Sequence, residues 1–341
     1  MKDSTILSGE IAIVNQILPH RNKWAWDLFI KAQANTWVPT EVSMAKDVEQ
    51  WRSKDVLSED ERLLLRRCLG FFAGSESLVA NNLLLTIFKY VSDAECRQYI
   101  LRQAFEEALH NQTIVYICDS LSLDINEVYE AHKSIPSIKA KDDFLMGITT
   151  DMSREGFRLP KKGEANWVEA RQEILRSIIT FYIICEGIFF YSGFAMLLAF
   201  GRQNKMPGVA EQVNFSMRDE SLHLQFGTML INVICEQEPE AWTENFKEEI
   251  TEHIRKTTEL EIAYAHDVLP RGIMGLNAGQ FVSYMHFIAN RRLEGIGLTP
   301  IFKNPKNPFP WLTETIDLGK QKNFFETRVI DYQKSGFVDD L

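Results

Sequence analysis

Twenty consecutive residues, from Phe181 to Phe200, contain a single charged side chain, Glu186. A segment that is apolar on every side lies either in a bilayer or in the middle of a large helical protein. A membrane location would leave the Glu186 carboxylate in hydrocarbon, at a cost of about 3 kcal/mol. We see no second candidate span in the sequence. We therefore expect a fully buried core helix, with no membrane association and with a cation near Glu186.

The charge and the cysteines of the chain narrow the class of protein further. The 341 residues include 37 Lys and Arg against 47 Asp and Glu, a net charge of −10. An acidic chain without a long basic run repels phosphate backbones, so we expect no nucleic-acid partner. Five widely spaced cysteines without a C-x-x-C pair indicate reduced thiols and favour neither disulfides nor a zinc site. The first ten residues lack the apolar core of a secretory signal, so we expect a cytoplasmic protein.

Long stretches without proline, rich in Leu, Ala, Glu, Lys and Arg, favour helix along most of the chain. The helices that we predict are 59–90, 93–121, 125–132, 139–151, 167–200, 208–235, 239–266 and 278–296. Capping boxes at Ser58-x-x-Glu61 and Ser92-x-x-Glu95 would begin the first two, and Pro239 suits a first helical turn. No strand alternation extends beyond a few residues, and no linker divides the chain. The sequence predicts one all-α domain, residues 1–320, followed by a flexible tail, residues 321–341.

Twice in the chain, a glutamate surrounded by apolar residues is followed by a Glu-x-x-His motif, 31 residues later in one case and 34 in the other. The residues are Glu76 with Glu107 and His110, and Glu186 with Glu220 and His223. Residues three apart share a helix face, so each Glu-x-x-His pair can hold one ion. Either motif alone is close to chance frequency, but the repetition inside long predicted helices is not.

A carboxylate among apolar residues needs a cation, because without one it is protonated or destabilises the fold. Few Lys or Arg residues lie near Glu76 or Glu186 in the sequence, whereas a divalent metal would satisfy both. Four carboxylates balance two divalent metals. A Glu from each of two helices plus Glu-x-x-His from each of the other two is the layout of dinuclear carboxylate centres in helix bundles. These ligands suit iron or manganese. The alternative is that the histidines are core residues and the glutamates face solvent.

Each Glu-x-x-His motif is preceded by a further acidic residue. Asp219, before Glu220, is placed to accept a hydrogen bond from a ligand imidazole. Glu106 precedes Glu107 but should point about 100° away from it. We interpret Glu106 as a residue of the polar helix face.

Three segments carry a resemblance to a known family: 104–110, 186–191 and 218–223. With them, the chain resembles the small, radical-generating subunit of class I ribonucleotide reductase over nearly its whole length. The resemblance implies a ferritin-like four-helix bundle core with additional helices around a dimetal carboxylate site. It implies that one metal is held by Glu76, Glu107 and His110, and the other by Glu186, Glu220 and His223. It also implies a homodimer that docks a large catalytic subunit through the C-terminal tail.

The resemblance further implies a path for electrons and protons between the metals and the large subunit. Trp37 matches the family tryptophan beside the metals and would couple to Asp219 and His110. Tyr332, in the tail, matches the tyrosine that passes the oxidising equivalent to the partner. Without the resemblance, Trp37 would be read as a core aromatic residue and Tyr332 as a tail residue.

One position departs from the common family pattern. Most members have a radical-storing tyrosine four residues after the first histidine, and here that residue is Ile114, which has no oxidisable ring. Glu76 also stands where many members have aspartate. Both features resemble the chlamydial-type class Ic subunits, in which a manganese/iron pair stores the oxidising equivalent. The resemblance therefore implies a Mn/Fe cofactor and dioxygen as its activator, while the ligand set alone leaves di-iron and di-manganese open.

Two other functions stay open from the sequence. A ligand-binding oxidase of the same superfamily would use the same six ligands but would host a long-chain lipid and need no partner. The acidic tail with Tyr332 argues against it. A ferritin-like metal store would need a route for many ions and a cage-forming surface, and such chains are usually nearer half this length.

Overall fold

The computed structural model describes residues 5–7, 14–149, 159–273 and 275–313, and within these ranges the chain is helical without a β-strand. The helices are α1 (Lys23–Ala34), α2 (Ala45–Arg52), α3 (Glu59–Asn82), α4 (Phe88–Tyr90), α5 (Ala94–Leu121), α6 (Ile125–Tyr129), α7 (Ala131–Ser134), α8 (Pro136–Thr149), α9 (Trp167–Ile179), α10 (Phe190–Arg202), α11 (Pro207–Gln237), α12 (Glu244–Val268) and α13 (Ala278–Gly295). Two π-helical segments, π1 (Leu83–Ile87) and π2 (Thr180–Phe189), continue α3 and α9. The all-α prediction is confirmed. The predicted tail, residues 321–341 with Tyr332, lies outside the described residues.

The apolar segment around Glu186 forms the middle of a continuous helical rod, Trp167–Arg202, made of α9, π2 and α10. By length and composition this rod could cross a membrane, but its most apolar window is completely buried inside the protein. The prediction of a fully buried core helix is therefore confirmed. The burial follows from the sequence, because no face of the segment carries polar residues that could face water.

Four elements form the centre of the bundle: α3, α5, π2 with its continuation α10, and α11. Helix α3 packs against α5, and the rod packs against α11 through both π2 and α10. Helices α8, α12 and α13 cover the other side of the rod, and α1 lies against α5. Each of the four central elements carries one of the acidic residues or motifs singled out in the sequence.

Of the two predicted capping boxes, one is present. Ser58 caps α3 in a complete capping box, as predicted. The second is wrong, because Asp93 rather than Ser92 caps α5, with its side chain accepting the backbone N–H three residues on at 2.9 Å. The Glu95 carboxylate instead accepts the backbone N–H of Arg21 at 2.7 Å.

The predicted helix start at Pro239 is also wrong. Helix α12 begins five residues later, at Glu244, where the Thr243 hydroxyl accepts a backbone N–H of the first turn. The Thr243 side chain supplies an acceptor for a free N–H group of the first turn, whereas the side chain of Pro239 has no acceptor. The sequence reading also left out α1 and α2.

Candidate metal centre

Six buried side chains from the four central elements converge in the middle of the bundle. They are Glu76 of α3, Glu107 and His110 of α5, Glu186 of π2, and Glu220 and His223 of α11. None is more than 3% exposed. These are the six residues that the sequence singled out, and the structure brings all of them together.

The six side chains form two overlapping groups, in each of which the potential ligand atoms lie within 4.8 Å of one another. The first group is Glu76, Glu107, His110 and Glu220, and the second is Glu107, Glu186, Glu220 and His223. Glu107 and Glu220 occur in both groups. The resemblance assigned each of these two carboxylates to one metal, whereas in the structure each of them belongs to both groups.

The imidazoles present their Nδ1 atoms to the carboxylates. His110 Nδ1 lies 3.1 Å from Glu220 Oε1 and 3.5 Å from Glu76 Oε2, and His223 Nδ1 lies 3.1 Å from Glu107 Oε1. In the described part of the chain, His110 Nδ1, Glu76 Oε2 and Glu220 Oε1 have no hydrogen bond of good geometry despite these short distances. These three atoms are buried close together, and their lone pairs are not used in hydrogen bonds among the described residues. That is the arrangement of ligands around a cation, so the residues fit a pair of metal ions.

The charges of the cluster also favour bound metal ions. Burial raises the pKa of Glu76 and Glu186, and for Glu186 the neighbouring charge of Glu220 raises it further. Although burial opposes it, the surrounding carboxylates raise the pKa of His110 well above the usual value. Without cations, then, the cluster tends to hold protons. Divalent metals would displace those protons and balance the negative charge.

Trp37, Asp219 and His110 lie together, as the sequence reading expected. The indole Nε1–H of Trp37 donates to Asp219 Oδ2 at 2.7 Å, and the same oxygen lies 3.5 Å from His110 Nε2. Trp37 is 2% exposed, so its ring is shielded from water. Burial raises the pKa of Asp219, but the hydrogen bond to His110 and the nearby charge of Arg218 together outweigh burial, and the resulting pKa lies below the usual value.

The interpretation of Glu106 as a polar-face residue is wrong. Glu106 is 1% exposed, and its Oε2 lies 2.9 Å from His223 Nε2. Its Oε1 lies 2.9 Å from a guanidinium nitrogen of Arg102. The signal was present in the sequence, since an acidic residue precedes both Glu-x-x-His motifs. The structure shows that the pairing is crossed: each of these acids contacts the histidine of the other motif.

A second contact that the sequence reading missed fixes Glu186. Gln103 Nε2 donates to Glu186 Oε1 at 2.8 Å, and the Tyr182 hydroxyl donates to Gln103 Oε1 at 2.8 Å. The other oxygen, Glu186 Oε2, is buried without a hydrogen-bond donor among the described residues and faces the cluster. Gln103 lies one helical turn before Glu107, so the helix-face rule that identified the motifs could have found it.

The π-helical conformation of π2 places Glu186 and also exposes backbone groups that need partners. The carbonyl of Gly187 accepts a hydrogen bond from Arg292 Nε at 2.7 Å. A Cβ at position 187 would lie 3.1 Å from that nitrogen and 3.0 Å from the Tyr182 carbonyl oxygen, so a larger residue would require these neighbours to move by a few tenths of an ångström. π-Helical turns of this kind occur frequently at functional sites.

Position 114 carries no group that could store a radical. Ile114 lies on α5 four residues after His110 and is 6% exposed. Tyr116, two residues further on, directs its hydroxyl to the carbonyl oxygen of Val42 at 3.1 Å.

Comparisons with known proteins agree on one family. The family model described as "Ribonucleotide reductase, small chain" matches residues 14–308. The chain is 53% identical to the ribonucleoside-diphosphate reductase subunit beta of Chlamydia pneumoniae, over 95% of this chain and 91% of the relative. It is 28% identical to the ribonucleoside-diphosphate reductase small chain of Plasmodium falciparum, over 92% and 81%. Among solved structures, the ribonucleotide reductase R2 subunit from Clostridium botulinum matches with a TM-score of 0.82 and 26% identity, over 92% of this chain and 94% of that one.

Proposed function

The chain belongs to the ribonucleotide reductase small-chain family, whose members supply the radical for ribonucleotide reduction from a dinuclear metal site, and we propose that the six buried side chains form that site. The observation that carries the proposal is the pair of overlapping ligand groups, in which several buried carboxylate oxygens and His110 Nδ1 have no hydrogen-bond partner among the described residues. The match to the family favours this function over the ligand-binding oxidase and the metal store that the sequence left open.

We propose a manganese/iron pair as the cofactor, activated by dioxygen. When bound, such a pair supplies the oxidising power that members with a tyrosine at position 114 keep on that ring. Two observations support the choice: the buried residue at that position is Ile114, and the chain shares 53% identity with a chlamydial relative. The clustered oxygens and imidazoles suit either metal.

The residues of this chain hold the first section of the proposed radical path. Asp219 Oδ2 accepts the Trp37 Nε1–H at 2.7 Å and is positioned to keep that proton close when the ring loses an electron. Asp219 stays ionised, because its pKa lies below the usual value, and its contact with His110 connects the indole to the cluster. Burial of Trp37 keeps water from the ring.

We propose that the chain forms a cytoplasmic homodimer and docks a large catalytic subunit through residues 321–341, where Tyr332 passes the oxidising equivalent on. These residues lie outside the described part of the chain. Tyr332→Phe should keep binding to the large subunit, since the tail is intact, and should abolish ribonucleoside-diphosphate reduction. A Tyr332→Phe variant with normal turnover would remove this residue from the path.

The metal centre is tested by loading the metal-free full-length chain with Mn(II) and Fe(II) together under air. We expect two metals per chain, one of each element by elemental analysis, and an electron paramagnetic resonance signal from a coupled pair. Fewer than two metals per chain would contradict the dinuclear site. Two irons that support full turnover with the large subunit would contradict the manganese/iron assignment.

A further inference from the structure

A buried ion pair lies outside the ligand cluster, on the other side of π2. Lys141 of α8 and Glu261 of α12 are both fully buried, with Nζ 2.7 Å from Oε2. The second carboxylate oxygen of Glu261 accepts a hydrogen bond from the Ser192 hydroxyl. Replacing a buried ion pair with apolar residues is often neutral or stabilising, so fold stability alone does not explain this pair.

The Lys141 ammonium is enclosed by aromatic rings. Its Nζ lies 3.4 Å from the ring centroid of Phe71, 4.1 Å from that of Tyr264 and 4.7 Å from that of Phe189. An ammonium group over the face of a ring is attracted by the ring quadrupole, and the attraction grows when water is excluded. The cation therefore holds three rings from three different elements around one point.

Two of these rings belong to the elements that contribute a single ligand each. Phe71 lies on α3, five residues before Glu76, and Phe189 is the last residue of π2, three after Glu186. Glu76 and Glu186 each belong to one of the two ligand groups, and neither has a histidine on its own helix to fix it. Gln103 of α5 orients the Glu186 carboxylate, but the separation of the Glu76 and Glu186 carboxylates depends on how α3 and π2 are placed against each other.

We propose that Lys141, neutralised by Glu261, is a positioning residue for the metal centre. Its ammonium binds the rings of α3 and π2 and thereby sets the separation of the Glu76 and Glu186 carboxylates. This role rests on the dinuclear centre proposed above. Lys141 and Glu261 belong to neither ligand group, so the effect acts through the two helices.

The test is the double variant Lys141→Met/Glu261→Gln in the full-length chain. It removes both charges together, keeps similar side-chain volumes and leaves neither partner of the pair unpaired, so its unfolding midpoint should stay near that of the wild type. The probe is Mn(II) alone, titrated anaerobically into the metal-free protein, with the paramagnetic resonance spectrum of the bound ions recorded. We expect two Mn(II) per chain, about tenfold weaker binding and an altered coupled spectrum. Wild-type affinity together with a wild-type spectrum would overturn the proposal.

A second buried pair provides the matched control. Arg171 and Glu238 lie 2.7 Å apart and are 4% and 5% exposed at their side chains. Arg171→Met/Glu238→Gln should bind Mn(II) like the wild type. An equal loss of affinity in this control would mean that any disturbed pair weakens the site, and it would overturn the specific role of Lys141.

The single variant Phe189→Leu keeps the ion pair and removes one ring from the ammonium. This variant should bind two Mn(II) per chain, as the wild type does, but with weaker affinity. If the double variant does not fold, Phe189→Leu is the test of the role of Lys141. Unchanged affinity in Phe189→Leu would then overturn the proposal. Failure of the wild-type chain to bind two Mn(II) would instead overturn the proposed metal centre, so the two hypotheses fail separately.

Discussion

The strongest test of the ligand geometry is the replacement of Glu106 by methionine. The wild-type carboxylate accepts from His223 Nε2 at 2.9 Å and thereby keeps Nδ1 free for a metal, while its other oxygen pairs with Arg102 at 2.9 Å. Removing a carboxylate behind a ligand imidazole typically costs 10- to 100-fold in metal affinity, or about 1.4–2.7 kcal/mol. The affinity should fall at the His223 site, and the His110 site should be unaffected because His110 Nε2 contacts Asp219.

An anaerobic Mn(II) titration of the metal-free chain, followed by calorimetry, measures the two sites as separate equivalents. In Glu106→Met the affinity for one equivalent of Mn(II) should fall 10- to 100-fold, and the affinity for the other equivalent should stay at the wild-type value. Glu106→Gln should lose less, because the amide oxygen can still accept the Nε2–H. Asp119→Asn, on the exposed face of the same helix, is the control and should bind like the wild type.

Two outcomes would refute this reasoning. A wild-type isotherm for Glu106→Met would show that the carboxylate does not orient His223. An equal loss of Mn(II) affinity for both equivalents would show a general disturbance of α5 instead of a local effect on one imidazole.

Three further predictions concern the cluster, the path and the core. His223→Ala should leave one metal per chain by elemental analysis, and retention of two would exclude His223 as a ligand. Trp37→Phe should load metal and consume dioxygen normally, while ribonucleotide reduction with the large subunit falls to background; unaltered turnover would remove Trp37 from the path. Asp142→Asn tests a buried carboxyl whose pKa burial raises from 3.8 to about 6, so the folded state binds this proton more tightly than the unfolded chain and stability falls as pH rises from about 4 to 6. The variant should therefore be more stable in urea at pH 8, by at most about 3 kcal/mol, and equal to the wild type near pH 4. A gain that does not depend on pH, or the same gain in the exposed control Asp143→Asn, would contradict the assignment.

The ligand cluster could be predicted from the sequence because its motifs each lie within a single helix. The i, i+3 spacing of Glu107 and His110 needs no knowledge of the fold, and a glutamate such as Glu186 in an apolar segment stands out wherever that segment packs. Trp37 is different, since nothing nearby in the sequence distinguishes a redox tryptophan from a core aromatic. Its pairing with Asp219 spans 182 residues, and the family resemblance alone suggested it.

What the sequence did not reveal depends on contacts between distant elements. Glu106 was misjudged because the rotation of about 100° per residue places it on a different face from Glu107, and in a bundle that face is buried too. The role of Lys141 was missed for the same reason. No local sequence pattern shows that a lysine of α8 contacts Glu261, 120 residues later. The error at Ser92 was smaller, since two adjacent residues were both suitable caps. Asp93 caps the helix, while the Ser92 hydroxyl donates to the carbonyl oxygen of Ile6 at 2.9 Å.

The crossed pairing of acids and imidazoles has an evolutionary consequence. Glu106 serves a histidine 117 positions downstream, and Asp219 serves one 109 positions upstream. A hybrid gene joined anywhere between these motifs would combine each histidine with an acid inherited from a different parent. A hybrid chain joined in this stretch therefore keeps both contacts only where the two parents carry compatible acids at positions 106 and 219.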